Sequence, residues 1–97
     1  MHFEWDEAKN RENLRKHGFD FVDAAELFTG DWPFLVAVDE NQREERWLGI
    51  GMIHTHIVVA VFTEPRENVI RIISLRKANR EEQSRYEQAI KNELGSD

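Results

Sequence analysis

Val69–Tyr86 reads VIRIISLRKANREEQSRY, and it decides the fold. Its first seven residues, Val69–Leu75, are apolar and β-branched in the manner of a strand. Asn79 with Glu82 three residues later forms a capping-box pattern, so a helix starts there and runs to about Leu94. Tyr86, Ala89, Ile90 and Leu94 give that helix one inward stripe. Glu81 with Arg85, and Glu87 with Lys91, are i,i+4 pairs worth roughly 0.3 kcal/mol each. The stretch holds five Arg or Lys (Arg71, Arg76, Lys77, Arg80, Arg85) against Glu81 and Glu82, in a chain of formal net charge −6. A basic island in an acidic protein points to a local anion site, with phosphate the leading candidate. The competing reading is that any strand-to-helix junction needs polar residues.

Upstream, Glu45–Ile53 alternates, with Arg46, Leu48, Ile50 and Met52 on one face. His54–His56 is a tight connection. Ile57–Thr63 is continuously apolar, as expected for a strand buried on both faces. Pro65–Asn68 makes a turn. These two runs, with Val69–Leu75 as the third, read as an antiparallel meander. Phe34–Val38 is a further short strand, followed by a polar loop over Asp39–Glu44.

The N-terminal third is helical. His2–Trp5 is extended. Asp6 caps a helix that runs to about His17, with Gly18 at its C′ position. Its apolar face is thin, Ala8 and Leu14. Asp20 caps a shorter helix through Ala24, Ala25, Leu27 and Phe28, ended by Gly30 and Asp31. The expectation is a single domain over 1–97 of α+β class: a small, mostly antiparallel sheet with two N-terminal helices and one C-terminal helix, all to one side.

Bulk properties narrow the function. The chain of 97 residues has no cysteine, which excludes disulfides, thiolate catalysis and Cys-based zinc sites. No apolar run approaches the roughly 20 residues of a membrane helix, and the N-terminus lacks a signal-peptide pattern. A cytoplasmic protein without membrane contact is expected. A net charge of −6 opposes diffuse binding to nucleic acid, so any such contact is focused or relies on a partner.

Several groups can do chemistry. Arg46 and Arg71, on antiparallel strands, are placed to face one side of the sheet and grip a phosphate through bidentate hydrogen bonds. Pairing with Glu44, Glu45 or Glu64 is the bland alternative. Ser74 and Arg76 share strand parity, and Arg80 opens the next helix, whose free N–H groups attract anions. His17 is of a residue type suited to general acid or base work, although a cationic His also stabilises a helix C-terminus. Tyr86 reads as core first and catalyst second. His54 and His56 share a parity suited to a metal, but no third ligand has suggestive spacing, so neither metal nor cofactor is expected.

Four segments taken in order resemble the BrnT toxin family of type II toxin–antitoxin systems. They are FEWDEAKNRENLRKHGFDFVDAAELF (3–28), EERWLGIG (44–51), VVAVFTE (58–64) and IRIISLRKANREEQSRYE (70–87). The matching positions are Trp5, Asp6, Lys9, His17, Gly18, Glu45, Arg46, Thr63, Glu64, Arg71, Ser74, Arg76, Arg80, Glu82 and Tyr86. Leu75 departs from the pattern, standing where a small residue is usual. The resemblance implies a RelE-like fold and a ribonuclease that blocks translation. It implies a BrnA-like antitoxin with a ribbon-helix-helix domain, through which the complex meets operator DNA.

On that footing, cleavage is expected to use the RNA's own 2′-OH without metal. Arg46, Arg71 and Arg76 would clamp the phosphate, with Arg80, Lys77 and Ser74 contacting RNA. His17 or Glu64 would be the general base and the other the acid, with Tyr86 as orienter. The thin apolar face of the first helix, together with an exposed Trp5 or Trp32, is where the antitoxin is expected to dock. The alternative is a catalytically weak binding module that acts through antitoxin binding and operon control.

Overall fold

The computed structural model describes residues 1–40 and 45–93, so the expected polar loop over Asp39–Glu44 and the inward Leu94 fall partly or wholly outside it. Its elements are β1 (His2–Glu4), α1 (Glu7–His17), a 3-10 turn (Phe21–Ala24), α2 (Ala25–Thr29), β2 (Leu35–Val38), β3 (Trp47–Ile53), β4 (His56–Arg66), β5 (Val69–Lys77) and α3 (Arg80–Glu93). The five strands form one sheet in the order β1-β5-β4-β3-β2. Pairing is antiparallel from β2 through β5, and over β3–β5 it is the meander the sequence predicts. β1 instead joins β5 in parallel, His2 opposite Val69 and Glu4 opposite Arg71. The sheet is therefore mixed, which corrects the expectation of a mostly antiparallel one. A three-residue strand carries too little pattern to announce a partner some 67 residues away.

The helices do not share a side. One cluster packs Phe21, Ala24 and Leu27 against Ile53, Val58, Ala60, Phe62, Ile70, Ile72 and Leu75. The other packs Tyr86 and Ala78 against Ile50 and Val59. The two clusters take alternate residues of β4, so the α2 layer and α3 cover opposite faces. This is why Ile57–Thr63 reads as continuously apolar. Gly49 and Gly51 admit the Phe34 ring, because a Cβ at Gly49 would overlap that ring and one at Gly51 would press on Leu27 and Phe34.

α1 has caps as its sequence suggests: Asp6 accepts from the backbone N–H groups of Ala8 and Lys9, and Gly18 is left-handed at φ +78°. Its docking face was not foreseen. Leu14 is exposed, whereas Asn10 and Asn13 are buried. Asn13 Nδ2 donates to the Leu75 carbonyl at 2.8 Å and its Oδ1 accepts from the Leu75 N–H at 3.1 Å. Beyond Arg71 the outer edge of β5 has no strand partner, and Asn13 supplies a substitute peptide there. Asn10 does the same for the chain entering the 3-10 turn, accepting from Phe21 N–H at 2.8 Å and donating to Asp20 at 2.9 Å.

Candidate functional site

Register and alternation place the candidate residues. A β-bulge lies where β5 passes Ile73, since Val61 pairs with Ser74 but Phe62 pairs with Ile72. The extra residue keeps Ile70, Ile72 and Leu75 all on the α2 face. It also brings Arg71, Ser74 and Arg76 together on the α3 face. Three of the rows crossing that face hold the candidate residues. Leu35, Ile50, Val59 and Arg76 form the first, Leu48, Val61 and Ser74 the second. Thr63 and Arg71 form the third, with Glu4 beyond Arg71 and Arg46 one residue before β3 on the other side.

α3 packs over the first row, in a cluster that also takes in Leu48, Met52 and Ile57. It starts beside Arg76 and crosses to β2, where the Tyr86 hydroxyl donates to the Pro33 carbonyl at 2.7 Å. The second and third rows stay half-buried and open. Adjacent strands lie about 4.8 Å apart, so Arg46 and Arg71 flank Thr63 with backbones about 10 Å apart. Two long guanidinium side chains can span a gap of that size.

The two arginines on β5 differ in their commitments. Arg76 grips Glu82 through both terminal nitrogens, at 2.8 and 2.9 Å, and Glu82 in turn accepts from Asn79 N–H while Asn79 caps Glu82 N–H. The Arg76 contact is the main cause holding the Glu82 carboxyl below its ordinary value. Arg76 thus fixes the start of α3 to the sheet. Arg71 uses Nη1 alone, at 3.0 Å from Glu4. Its other N–H groups make no hydrogen bond among the described residues. Arg46 Nε is buried and, among the described residues, is the side-chain nitrogen or oxygen left without a hydrogen-bond partner. A buried N–H of this kind favours an acceptor brought by a ligand.

The remaining candidates lie elsewhere. Glu64, exposed, follows Thr63 and lines a 360 Å³ cleft with Glu45, Trp47 and Pro65. Arg80 and Lys77 are exposed at the junction of β5 and α3. His17 ends α1, one turn beyond the Asn13–Leu75 contact. Leu75 is already four residues, about 13 Å, along β5 from Arg71, so His17 and Glu64 sit at opposite ends of the sheet. Tyr86 is fully buried in the core, where burial raises its hydroxyl's pKa. Trp5 is part of the α2-side core, edge-on to Phe21, while Trp32 is exposed. His54 occupies a two-residue hairpin turn at φ +55°, and the His56 ring stands edge-on to Phe19. Among the described residues no three His, Asp or Glu gather as a metal site would require.

Sequence reasoning missed Glu4, because only the parallel β1–β5 pairing brings it to Arg71. It missed Arg66 for the same reason: Arg66 Nη2 donates to the other Glu4 oxygen at 2.6 Å.

A family model described as "Ribonuclease toxin, BrnT, of type II toxin-antitoxin system" matches residues 5–82, which is most of the chain and includes Arg46, Thr63, Arg71, Ser74 and Arg76. The chain belongs to the BrnT family. The solved structure of the Brucella abortus ribonuclease toxin BrnT is similar to it at 26% identity and a TM-score of 0.63, over 82% of this chain and 99% of that one. No curated protein matches the sequence. As a BrnT ribonuclease toxin of a type II system, the chain has ribonuclease activity and an antitoxin partner as its family properties. No helix among the described residues is long and apolar enough to cross a membrane.

Proposed function

We propose that this BrnT-family toxin cuts RNA without a metal, by attack of the 2′-OH on the adjacent phosphate, on the open half of the α3 face. The observation that carries the reading is the row Arg46–Thr63–Arg71, which pairs a buried, unpartnered Arg46 Nε with a partly uncommitted Arg71 guanidinium. Fixed cations at the developing phosphorane lower the barrier, and each positioned donor is commonly worth about 10²–10³ in rate. Ser74 and Thr63 hydroxyls lie beside the phosphate. Glu64, which lines a cleft with Thr63, takes the 2′-OH proton as general base, and a solvent water protonates the leaving 5′-oxygen as the P–O5′ bond breaks. Arg76 holds α3 in place; Arg80 and Lys77 steer RNA from the rim, and His17 stands outside the reacting centre.

Cleavage of cytoplasmic RNA then stops translation. A BrnA-like ribbon-helix-helix antitoxin neutralises the toxin, and the complex meets operator DNA through the antitoxin. The test is induced expression of the chain, wild type beside Arg71→Ala, with growth and total RNA integrity followed over time. Arrest with RNA loss in the wild type alone supports the reading.

A second reading has its own support: Glu4 and Glu82 already occupy Arg71 and Arg76. A binding module kept for antitoxin contact and operon control would show no arrest in either strain while the antitoxin still bound both.

A further inference from the structure

The end of the β4–β5 hairpin carries a cation, Arg66, that the cleavage row does not use. Arg66, the last residue of β4, and Arg71, the third of β5, both donate to Glu4: Arg66 Nη2 to Oε1 at 2.6 Å and Arg71 Nη1 to Oε2 at 3.0 Å. Glu4 is held there by the parallel β1–β5 register. Both contacts, Arg66 first, keep its carboxyl ionised below its ordinary pKa. Two guanidiniums thus share one carboxylate, in a chain of net charge −6 whose next carboxylate near Arg71 is Asp6.

Stability does not account for the arrangement. The Arg66 side chain is 63% exposed, and exposed ion pairs contribute about 0–1 kcal/mol. What Glu4 does achieve is geometric. It ties Arg66 beside Arg71 with one carboxylate between them and leaves each guanidinium with unspent N–H groups. A repulsive overall charge makes such a fixed local cation pair the means of holding a polyanion.

We infer that Arg66 binds the RNA phosphate adjacent to the one gripped by Arg71, with Glu4 as the positioning residue that spaces the two guanidiniums. The inference rests on the ribonuclease reading and adds a backbone subsite to it. The strand then runs from the Arg46–Thr63–Arg71 row outward over the β4–β5 hairpin.

The test is binding of a single-stranded 2′-O-methyl RNA oligonucleotide, which lacks the nucleophile, measured by fluorescence anisotropy over a range of salt. Wild type is compared with Arg66→Gln, Arg66→Lys and, as a charge-matched control, Arg15→Gln on α1, whose side chain pairs with Glu12 and is equally exposed. Each phosphate contact on a single strand contributes about 0.7 to the slope of log affinity against log salt. Arg66→Gln is expected to lower that slope by about 0.7 and to weaken binding about tenfold at low salt. Arg66→Lys keeps the slope, Arg15→Gln leaves it unchanged, and in cleavage of unmodified RNA Arg66→Gln raises KM and spares kcat. An unchanged slope in Arg66→Gln, or an equal loss in Arg15→Gln, overturns the subsite. Cleavage by the wild type is scored separately: a wild type that cuts RNA while Arg66→Gln binds normally sinks this inference and leaves the ribonuclease reading standing. A wild type that binds no oligonucleotide sinks the subsite outright.

Discussion

Asn13 of α1 closes two hydrogen bonds on the backbone of Leu75, donating to its carbonyl and accepting from its N–H. This one side chain fastens a helix with almost no apolar face to the unpaired edge of β5. Asn13→Ala leaves a buried N–H and C=O without partners, at roughly 1–3 kcal/mol each. A loss of about 2–4 kcal/mol in urea unfolding is expected, far more than for Leu14→Ala, whose side chain is exposed.

Tyr86 gives the sharpest separation of structure from chemistry. Its ring fills the α3-side core and its hydroxyl bonds the Pro33 carbonyl. Tyr86→Phe should cost about 1 kcal/mol in stability and leave RNA cleavage unaltered when measured well below the unfolding midpoint. A hundredfold loss of cleavage with the fold intact would return Tyr86 to the reacting centre.

Glu82 sets an acid limit on stability. Its folded pKa lies below the ordinary 4.5, chiefly through the Arg76 hydrogen bonds. The unfolded state therefore binds the proton more readily. The stabilisation is complete above about pH 4.5 and is lost as pH falls through the folded value. Urea midpoints measured from pH 6 downward should fall more steeply for wild type than for Glu82→Gln in that window.

The glycines of β3 test the sheet's layering. Gly49→Ala places a methyl in the Phe34 ring, and overpacking of this kind costs about 1–3 kcal/mol. Phe34→Leu combined with Gly49→Ala should recover part of the loss in a thermal melt, because it vacates the same space.

Much of this was legible in the sequence because it is local. The Asp6 and Gly18 caps, the Asn79–Glu82 capping box and the alternation of β3 each depend on residues a few positions apart, and each stands where expected. The placing of Arg46 and Arg71 on one face also follows from strand parity. What escaped notice is long-range or polar. The parallel β1–β5 pairing, and with it Glu4 and Arg66, joins chain ends that no short pattern connects. Asn10 and Asn13 docking α1 through buried amides defeats a search for apolar stripes. The placing of α3 opposite α2 was hidden because a strand buried on both faces shows no alternation. Within the site, the separation of His17 from Glu64 follows from α1 running alongside β5, which spacing in the sequence does not disclose.

The most direct measurement is cleavage of a defined RNA by the purified chain in excess EDTA, wild type beside Arg46→Ala and Arg71→Ala, with product ends analysed by mass. The account predicts cleavage to 2′,3′-cyclic phosphate ends by the wild type and about 10²–10³-fold slower cutting by each variant. Cleavage that needs a divalent metal, or that survives loss of Arg46 and Arg71 undiminished, would contradict it.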